Sequence, residues 1–269
     1  MRKEYYIWAP PYNPRSAGVK ALHYLCHELN RRGETAYIIG KNYADVNSAL
    51  NTPLAYVVPT KESILVYPEI IEGNPYGAQH VVRWLLYYAG AYSNKDTFAS
   101  TEQTWGYTTR IARDFGTGNV MFLPTVDETF FVPPPEGTKR KGSCYYAHKY
   151  KTFFGGKPSE IRGSVEITNP GQTREEVLRL LQTSEVFYAY EDTALIIEAA
   201  LCGCPAVCMP STFFRECCGL EDFSAGVAWG MEELDKALST VKDAHKQYAL
   251  CKDVFKYQLA EFIERTQNA

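Results

Sequence analysis

A short polar segment, Glu191-Asp192-Thr193, separates two apolar stretches in a way that could create an anion site. Before it, Val186–Ala189 is apolar and short enough for a strand buried on both faces. After it, Ala194–Cys202 consists of good helix formers, and Asp and Thr are favoured residues at a helix N-cap. Unpaired N–H groups and the helix dipole favour a phosphate at such a position. The pattern therefore predicts an anion site where this helix begins.

A carboxylate, Glu198, lies near the first turn of the same helix. Glu198 either accepts hydrogen bonds from a pair of ligand hydroxyls or is a partly exposed residue with no functional role. Gly203 is placed to end the helix, and the apolar run Cys204–Met209 resumes as a strand. The segment is thus a predicted strand, helix and second strand. Ligands bind at the carboxyl ends of parallel strands, which is where this helix starts.

The composition indicates a globular protein and excludes several classes. With 269 residues, 45% of them hydrophobic, the chain can bury the core of one large or two small domains. A net charge of −3 provides no cationic field for duplex nucleic acid, so we expect no nucleic-acid partner. No apolar run reaches the length of a membrane span, and nothing resembles a secretory leader, so we expect a cytoplasmic protein.

Cysteine and histidine spacings do not favour a metal site. Five of the eight cysteines lie between positions 202 and 218, but no pair has the C-x2-C spacing of zinc sites. Buried thiols are therefore the preferred interpretation. His23 and His27 have helical i, i+4 spacing, but Tyr24 stands where a metalloprotease has its glutamate. The chain also has no D-x-D triplet, so we expect neither a metal nor another cofactor.

Strand and helix patterns alternate in the first half of the chain, which is typical of a parallel, doubly wound sheet. The predicted elements are strand Tyr5–Ala9, helix Val19–Arg32, strand Thr35–Ile39, strand Ile64–Pro68, helix Ala78–Tyr88, strand Asp96–Ala99, helix Thr104–Asp114 and strand Asn119–Leu123.

The second half repeats this organisation after a proline-rich, charged linker at 132–142. Its further predicted elements are strands Ser143–Ala147, Gly163–Ile167 and Gly226–Trp229, a helix to Leu181 opened by the capping box Thr173–Glu176, and a helical tail from Glu232. We therefore predict an α/β protein with an N-terminal Rossmann-like domain (1–131), a linker (132–142), a C-terminal Rossmann-like domain (143–250) and a C-terminal helix (251–269). The two doubly wound domains are expected to face a cleft.

Three segments carry a resemblance to a known family. Ser16–Leu22 looks like a glycine-bearing loop before a first helix, and Gly73–Ala78 with Val82–Leu86 looks like a second family segment. The most specific match is Glu198–Pro205, which is similar to the signature E-A-x-x-x-G-x-P. On these residues the chain resembles the bacterial retaining GT-B glycosyltransferases of the family 4 type. The resemblance implies metal-independent transfer of a hexose, with net retention, from a UDP or GDP sugar to a glycan or lipid-linked acceptor in polysaccharide biosynthesis.

The resemblance also implies roles for residues of the second half. Glu198 would bind the donor ribose, and the backbone N–H groups of Thr193 and Ala194 would bind the diphosphate. The family has a further glutamate, which contacts the sugar, eight positions before Glu198, where this chain has Tyr190. Either the turn is one residue shorter here or that role passes to Glu191 or Asp192. Glu191 is therefore a candidate catalytic residue, and Asp192, Tyr190 and Lys151 are candidate donor-binding residues. The resemblance further implies that 1–131 is the acceptor-side domain and 143–250 the nucleotide-sugar-binding domain.

Basic residues after the first strand of the second domain stabilise the leaving diphosphate in the family. Lys149 and Lys151 match that location, and Lys149 is the favoured catalytic residue. The alternative interpretation is an ordinary lysine-rich surface loop.

On the acceptor side, Gly18 would let its loop approach a ligand closely, and Arg15 and Asn74 would line the cleft. The structural alternatives are a tight turn at Gly18 and a helix start at Asn74-Pro75. Weak membrane association, at the inner face of the membrane, is left open. Two other functions also stay open: a nucleotide-sugar epimerase of the same fold, and a non-catalytic sugar- or nucleotide-binding module.

Overall fold

A computed structural model describes residues 2–40, 46–93, 96–158, 163–168 and 171–269. The chain divides into two compact units. Unit 1 comprises Met1–Thr125 with Cys251–Ala269, and unit 2 comprises Val126–Leu250. The predicted linker at 132–142 thus lies within unit 2, and the C-terminal segment 251–269 belongs to unit 1. None of the described helices is long and apolar enough to cross a membrane.

Unit 1 is built on a five-stranded parallel sheet with the order β2-β1-β3-β4-β5. Its strands are β1 Tyr5–Trp8, β2 Ala36–Ile39, β3 Ile64–Pro68, β4 His80–Leu85 and β5 Gln103–Gly106. β1 pairs in register with β2 on one side (Tyr5 with Ala36) and with β3 on the other (Tyr5 with Ile64). β3 is buried throughout, as a strand covered on both faces should be.

α1 Ala17–Arg31 connects β1 to β2, and α2 Thr109–Phe115 follows β5. The hydroxyl of Ser16 caps α1 by accepting the Val19 N–H at 3.4 Å. The apolar residues Leu22, Leu25 and Leu29 recur at helical spacing and are buried in the core of unit 1. The predicted helix over this segment is thus confirmed, with bounds shifted by one or two residues.

The predicted helix Ala78–Tyr88 is wrong, because this segment contains β4. Val81, Val82 and Trp84 are β-branched or aromatic and are buried on a strand that pairs with β3 and β5. A central parallel strand is apolar on both faces and shows no period-two pattern, so the sequence resembled a buried helix.

Three neighbouring predictions also fail in part. Residues 96–99 form no strand, and the predicted helix Thr104–Asp114 divides into β5, a loop and α2. Gly106 requires this arrangement, since a side chain there would overlap the backbone of Ala112. The predicted strand Asn119–Leu123 forms only one isolated bridge, between Val120 and Gly106.

Unit 2 contains a second five-stranded parallel sheet, with the order β10-β9-β8-β6-β7. Its strands are β6 Ser143–Tyr146, β7 Ser164–Glu166, β8 Val186–Ala189, β9 Ala206–Cys208 and β10 Val227–Trp229. Its helices are α3 His148–Thr152, α4 Arg174–Thr183, α5 Leu195–Leu201 and α6 Leu234–Thr240, with short 3-10 helices at Met231–Glu233 and Val241–Asp243.

Two features of these helices were anticipated and one was not. The predicted capping box is present, because Thr173 and Glu176 each accept the other's backbone N–H. The helical tail is present but interrupted, and its last element, α7 Ala244–Gln267, returns to unit 1. Within unit 1, Phe255, Leu259 and Phe262 of α7 belong to the same buried cluster as Tyr5.

Candidate functional site

The strand order places one candidate site in unit 2 at a topological switch point. From β6 the chain crosses to β7 on one side of the sheet and then to β8 on the other. The loops that leave β6 and β8 therefore diverge at the carboxyl edge, and such a crevice is where open α/β sheets bind ligands. The Tyr190 N–H donates to the carbonyl of Tyr146 at 3.0 Å, so the two strand ends stay paired up to this edge.

Glu191 connects the two loops. α3 begins after Ala147, which provides no side-chain cap. Oε2 of Glu191 instead accepts the backbone N–H of Tyr150, in the first turn of α3, at 2.9 Å. Glu191 is 1% exposed, and its Oε1 accepts no hydrogen bond from the described residues. The predicted sugar-binding residue thus serves as the cap of the helix that carries Lys149.

Electrostatic effects link Lys149 to both acids of the loop after β8. Burial raises the pKa of Glu191, against the opposing effects of the Tyr150 and Lys149 N–H groups and the charges of Lys149 and His148. Burial also raises the pKa of Asp192, to about 6, and the positive charge of Lys149 again opposes the shift. Lys149 therefore lies close enough for its charge to act on both carboxyl groups.

Asp192 faces the loop that follows β9. Its Oδ2 accepts the Cys218 N–H at 3.4 Å, and the thiols of Cys217 and Cys218 also interact with its carboxylate. This acid therefore fixes the loop after β9 against the loop after β8.

The helix start after Asp192 differs slightly from the prediction. α5 begins at Leu195 with Ala194 as N-cap, and the Thr193 hydroxyl accepts the Leu195 N–H at 3.3 Å. The N–H groups of Thr193 and Ala194 have no hydrogen-bond acceptor in the described part of the chain. Glu198 is buried within the first turn of α5. Burial raises the pKa of the Cys202 thiol, and the charge of Glu198 raises it further.

Lys151 and Tyr190 are engaged with other side chains. Nζ of Lys151 lies 2.7 Å from Glu166 at the end of β7, and the Tyr145 hydroxyl donates to the same carboxylate. Tyr190 is buried and stacks on the Tyr150 ring at a centroid distance of 5.7 Å. The other predicted catalytic and donor-binding residues lie on three segments: the first turn of α3, the loop after β8, and α5. These six residues are Lys149, Glu191, Asp192, Thr193, Ala194 and Glu198.

Unit 1 has its own switch point, between β1 and β3, and the predicted acceptor residues lie in loops or a helix start nearby. The amide of Asn74 is used within its own loop, accepting from the Tyr67 hydroxyl at 3.3 Å and donating to the Ala78 carbonyl at 2.8 Å. Arg15 is exposed, in the loop before α1. Gly18 is the second residue of α1, and a Cβ there would make an ordinary contact with Leu86 at 3.5 Å.

Arg83 donates hydrogen bonds to the backbone just before Asn74, and it was not identified from the sequence. It is 1% exposed, forms an ion pair with Glu102, and donates to the backbone carbonyls of Ile71 (2.6 Å) and Gly73. Its guanidinium also lies 4.9 Å from the ring centre of Tyr67.

Glu69 is a further buried polar residue of unit 1 that was not identified from the sequence. Glu69 directly follows β3, where its Oε2 accepts the Leu86 N–H at 2.9 Å, and burial raises its pKa to about 7. An acid immediately after an apolar strand was the available signal. Nε2 of His23 lies 2.9 Å from the Pro10 carbonyl, and Nδ1 of His27 accepts the Asn51 N–H at 2.8 Å. Both histidines therefore bind backbone groups.

The cysteines occur as thiols, and all except Cys217 are buried. Across the described ranges, no group of three or more His, Cys, Asp or Glu side chains is arranged to hold a metal ion.

Comparison with known proteins shows the fold. No protein-family model matches the chain, and no curated protein is significantly similar to it in sequence. Among solved structures, a glycosyltransferase from Rickettsia africae ESF-5 has a TM-score of 0.56 and 10% identity, with 100% of this chain and 99% of that chain covered. The chain therefore has the GT-B glycosyltransferase fold, and the predicted fold class, with two parallel α/β sheets, is confirmed.

Two other glycosyltransferases of known structure are less similar to the chain in fold. The calicheamicin glycosyltransferase CalG4 has a TM-score of 0.49 and 12% identity, with coverage of 100% of this chain and 98% of that chain. SnogD from Streptomyces nogalater also has a TM-score of 0.49 and 12% identity, with coverage of 99% and 100%.

Proposed function

We propose that the protein is a metal-independent glycosyltransferase that moves a hexose from a nucleoside diphosphate sugar to a glycan or lipid-linked acceptor. The observation that carries the proposal is the gathering of Lys149 and the Glu191–Ala194 loop at the switch point of unit 2. A cation and unused N–H donors at the carboxyl edge of a parallel sheet suit a diphosphate. The GT-B fold supports the same reaction class by analogy.

In this proposal, breaking the bond between the anomeric carbon and the donor phosphate oxygen leaves negative charge on the diphosphate. Lys149 and the N–H groups of Thr193 and Ala194 stabilise that charge. Glu198 accepts hydrogen bonds from the ribose hydroxyls. Glu191 acts as a positioning residue, because its carboxylate caps α3 and thereby orients Lys149.

We propose net retention from the resemblance of Glu198–Pro205 to the retaining family signature, with the leaving phosphate taking the proton of the acceptor hydroxyl. Arg15, Gly18 and Asn74 are proposed to contact the acceptor, Gly18 and Asn74 through their backbone. The net charge of −3 argues against a nucleic-acid acceptor. We further propose that the protein associates weakly with the inner face of the membrane.

The test begins with thermal unfolding in the presence of UDP, GDP and inorganic pyrophosphate, each with EDTA. We expect stabilisation by at least one nucleotide without metal. Nucleotide release from a panel of UDP and GDP sugars is then measured with glycan, lipid-linked and duplex DNA acceptors, and the anomeric configuration of the product is read by NMR. If no nucleotide shifts the melting temperature, the donor assignment is wrong, and inverted product would overturn retention alone.

The burial of Glu191 gives a non-catalytic nucleotide-sugar-binding module some support, because the residue expected at the sugar is 1% exposed. Such a module would be stabilised by a nucleotide sugar but would release no nucleotide with any acceptor.

A further inference from the structure

Four aromatic side chains form a connected cluster at the switch point of unit 2. Tyr150 is nearly parallel to Tyr190, with ring centroids 5.7 Å apart and planes at 19°, and nearly parallel to Phe154, at 6.0 Å and 24°. Phe213, from the loop after β9, lies 5.5 Å from Phe154 and 6.1 Å from Tyr150. We call Tyr190, Tyr150, Phe154 and Phe213 the aromatic cluster.

A double-glycine turn builds the outer part of this cluster. Gly155 has φ +66°, a conformation that other residues rarely adopt, and its N–H donates to the Lys151 carbonyl. The Gly156 N–H donates to the Tyr150 carbonyl at 2.9 Å, and any side chain at Gly156 would overlap the Tyr150 ring. Glycine at both positions thus turns the chain back beneath Tyr150, which brings the Phe154 ring parallel to it.

The cluster runs from the core to the surface. Tyr190 is 4% exposed, whereas Phe154 is 50% exposed and Phe213 is half-buried. Phenylalanine has no polar atom that would compensate for its contact with water. A partly exposed ring surface therefore lies at its outer end, formed by Phe154 from the segment that carries Lys149 and by Phe213 from the loop after β9.

We propose that the rings of Phe154 and Phe213 form a platform on which the nucleobase of the donor stacks. This inference rests on the proposed function, since the diphosphate at Lys149 would place the rest of the nucleotide at this edge. The two rings are inclined at 33° to each other, and each offers an apolar face. Such a face suits a base, which presents a π-face, better than a sugar, whose hydroxyls need hydrogen-bond partners that phenylalanine lacks.

Stacking on a phenylalanine face depends little on which base is present, because every base has such a face. The platform therefore contributes similar affinity to uridine and guanosine diphosphates, and it contributes nothing to a diphosphate that has no base.

The experiment measures Kd by isothermal titration calorimetry for UDP, GDP and inorganic pyrophosphate. Phe154→Ala and Phe213→Ala are each expected to weaken UDP and GDP binding about tenfold, the order typical of one stacking contact, and to leave pyrophosphate binding unchanged. Phe153→Ala is the matched control, since Phe153 is adjacent, 73% exposed, and has no ring contact with any described residue. We expect its three Kd values to equal those of the wild type.

Phe154→Leu separates stacking from packing, because leucine keeps an apolar side chain but has no ring. It is expected to bind nucleotides as weakly as Phe154→Ala while retaining the wild-type unfolding midpoint. Wild-type UDP affinity in the Phe154→Leu and Phe154→Ala variants would overturn the platform, and so would an equal loss of pyrophosphate binding. Wild-type protein that binds UDP no better than pyrophosphate would overturn the platform but leave the diphosphate site intact. Wild-type protein that binds none of the three overturns the proposed function with it.

Discussion

Oε2 of Glu191 accepts the backbone N–H of Tyr150 at 2.9 Å, so a buried acid after one strand caps the helix that follows another. The two residues are 41 positions apart, and the helix that Glu191 caps carries Lys149. A carboxylate near the first turn satisfies an unpaired N–H and interacts favourably with the helix dipole. This contact thus explains how an acid that is almost completely buried can serve a ligand site.

Replacing Glu191 distinguishes a positioning role from direct catalysis. Glu191→Ala removes the cap and is expected to lower the free energy of unfolding in urea by about 1–2 kcal/mol. Glu191→Gln retains a carbonyl oxygen that can accept the Tyr150 N–H, so we expect near-wild-type stability and most of the nucleotide affinity. Glu185→Ala, an exposed acid just before β8, is the control. A stable Glu191→Gln variant that binds nucleotide but transfers no sugar would instead mean that the carboxylate touches the sugar.

Lys149 is predicted to act on the leaving diphosphate. Lys149→Ala is expected to weaken UDP or GDP binding about tenfold and to lower kcat about 100-fold, because a preorganised donor near developing charge is lost. Titration calorimetry and initial rates of nucleotide release measure the two effects. Lys157→Ala serves as control, as it removes an exposed lysine from the same loop region. Equal losses in both variants would show a general effect of positive charge.

The buried Glu69 makes the stability of the protein depend on pH. Its pKa is raised from 4.5 to about 7 in the folded state, mainly because burial disfavours the charged form. Between these values the folded state holds a proton that the unfolded state has lost, so stability falls as pH rises from about 4.5 to 7. The full difference corresponds to up to about 3 kcal/mol. We expect Glu69→Gln to lose less stability than the wild type between pH 5 and pH 8 in urea titrations, whereas Glu136→Gln, at an exposed position, should follow the wild type.

The buried Arg83–Glu102 pair supports the Asn74 loop. Arg83→Met leaves Glu102 without its countercharge and two backbone carbonyls without a donor, so we expect the free energy of unfolding to fall by about 3–5 kcal/mol. The double variant Arg83→Met/Glu102→Leu should lose less than the single variant, because no lone buried charge remains. Arg110→Met, at a surface pair with Asp114, should change stability by about 1 kcal/mol or less. If the double variant lost as much free energy of unfolding as the sum of its two single substitutions, Arg83 and Glu102 would make no coupled contribution to stability.

Local patterns in the sequence predicted two parallel sheets and the strand-to-helix loops on which most candidate site residues lie. Elements with a clear amphipathic period or capping chemistry, such as α1 and the Thr173–Glu176 box, were found with bounds within one or two residues. β4 was misread because a central strand is buried on both faces and has no alternation to distinguish it from a helix.

What the sequence could not supply were contacts between distant segments. Arg83 reads as an exposed charge until Glu102, 19 positions later, is placed beside it. The pairing of Lys151 with Glu166, 15 positions later, is likewise not visible in the sequence. Tertiary placement decided these roles, and neither periodicity nor spacing encodes it.

The return of α7 to unit 1 has a consequence for synthesis on the ribosome. Phe255, Leu259 and Phe262 fill the same core as Tyr5 and Trp105, and the Tyr5 hydroxyl bonds Thr266 at 2.7 Å. The core of unit 1 is therefore complete only after α7 has been synthesised. All five strands of unit 2 precede α7 in the chain. Unit 2 is therefore free to fold before the core of unit 1 is complete, which reverses the usual N-to-C order of domain folding.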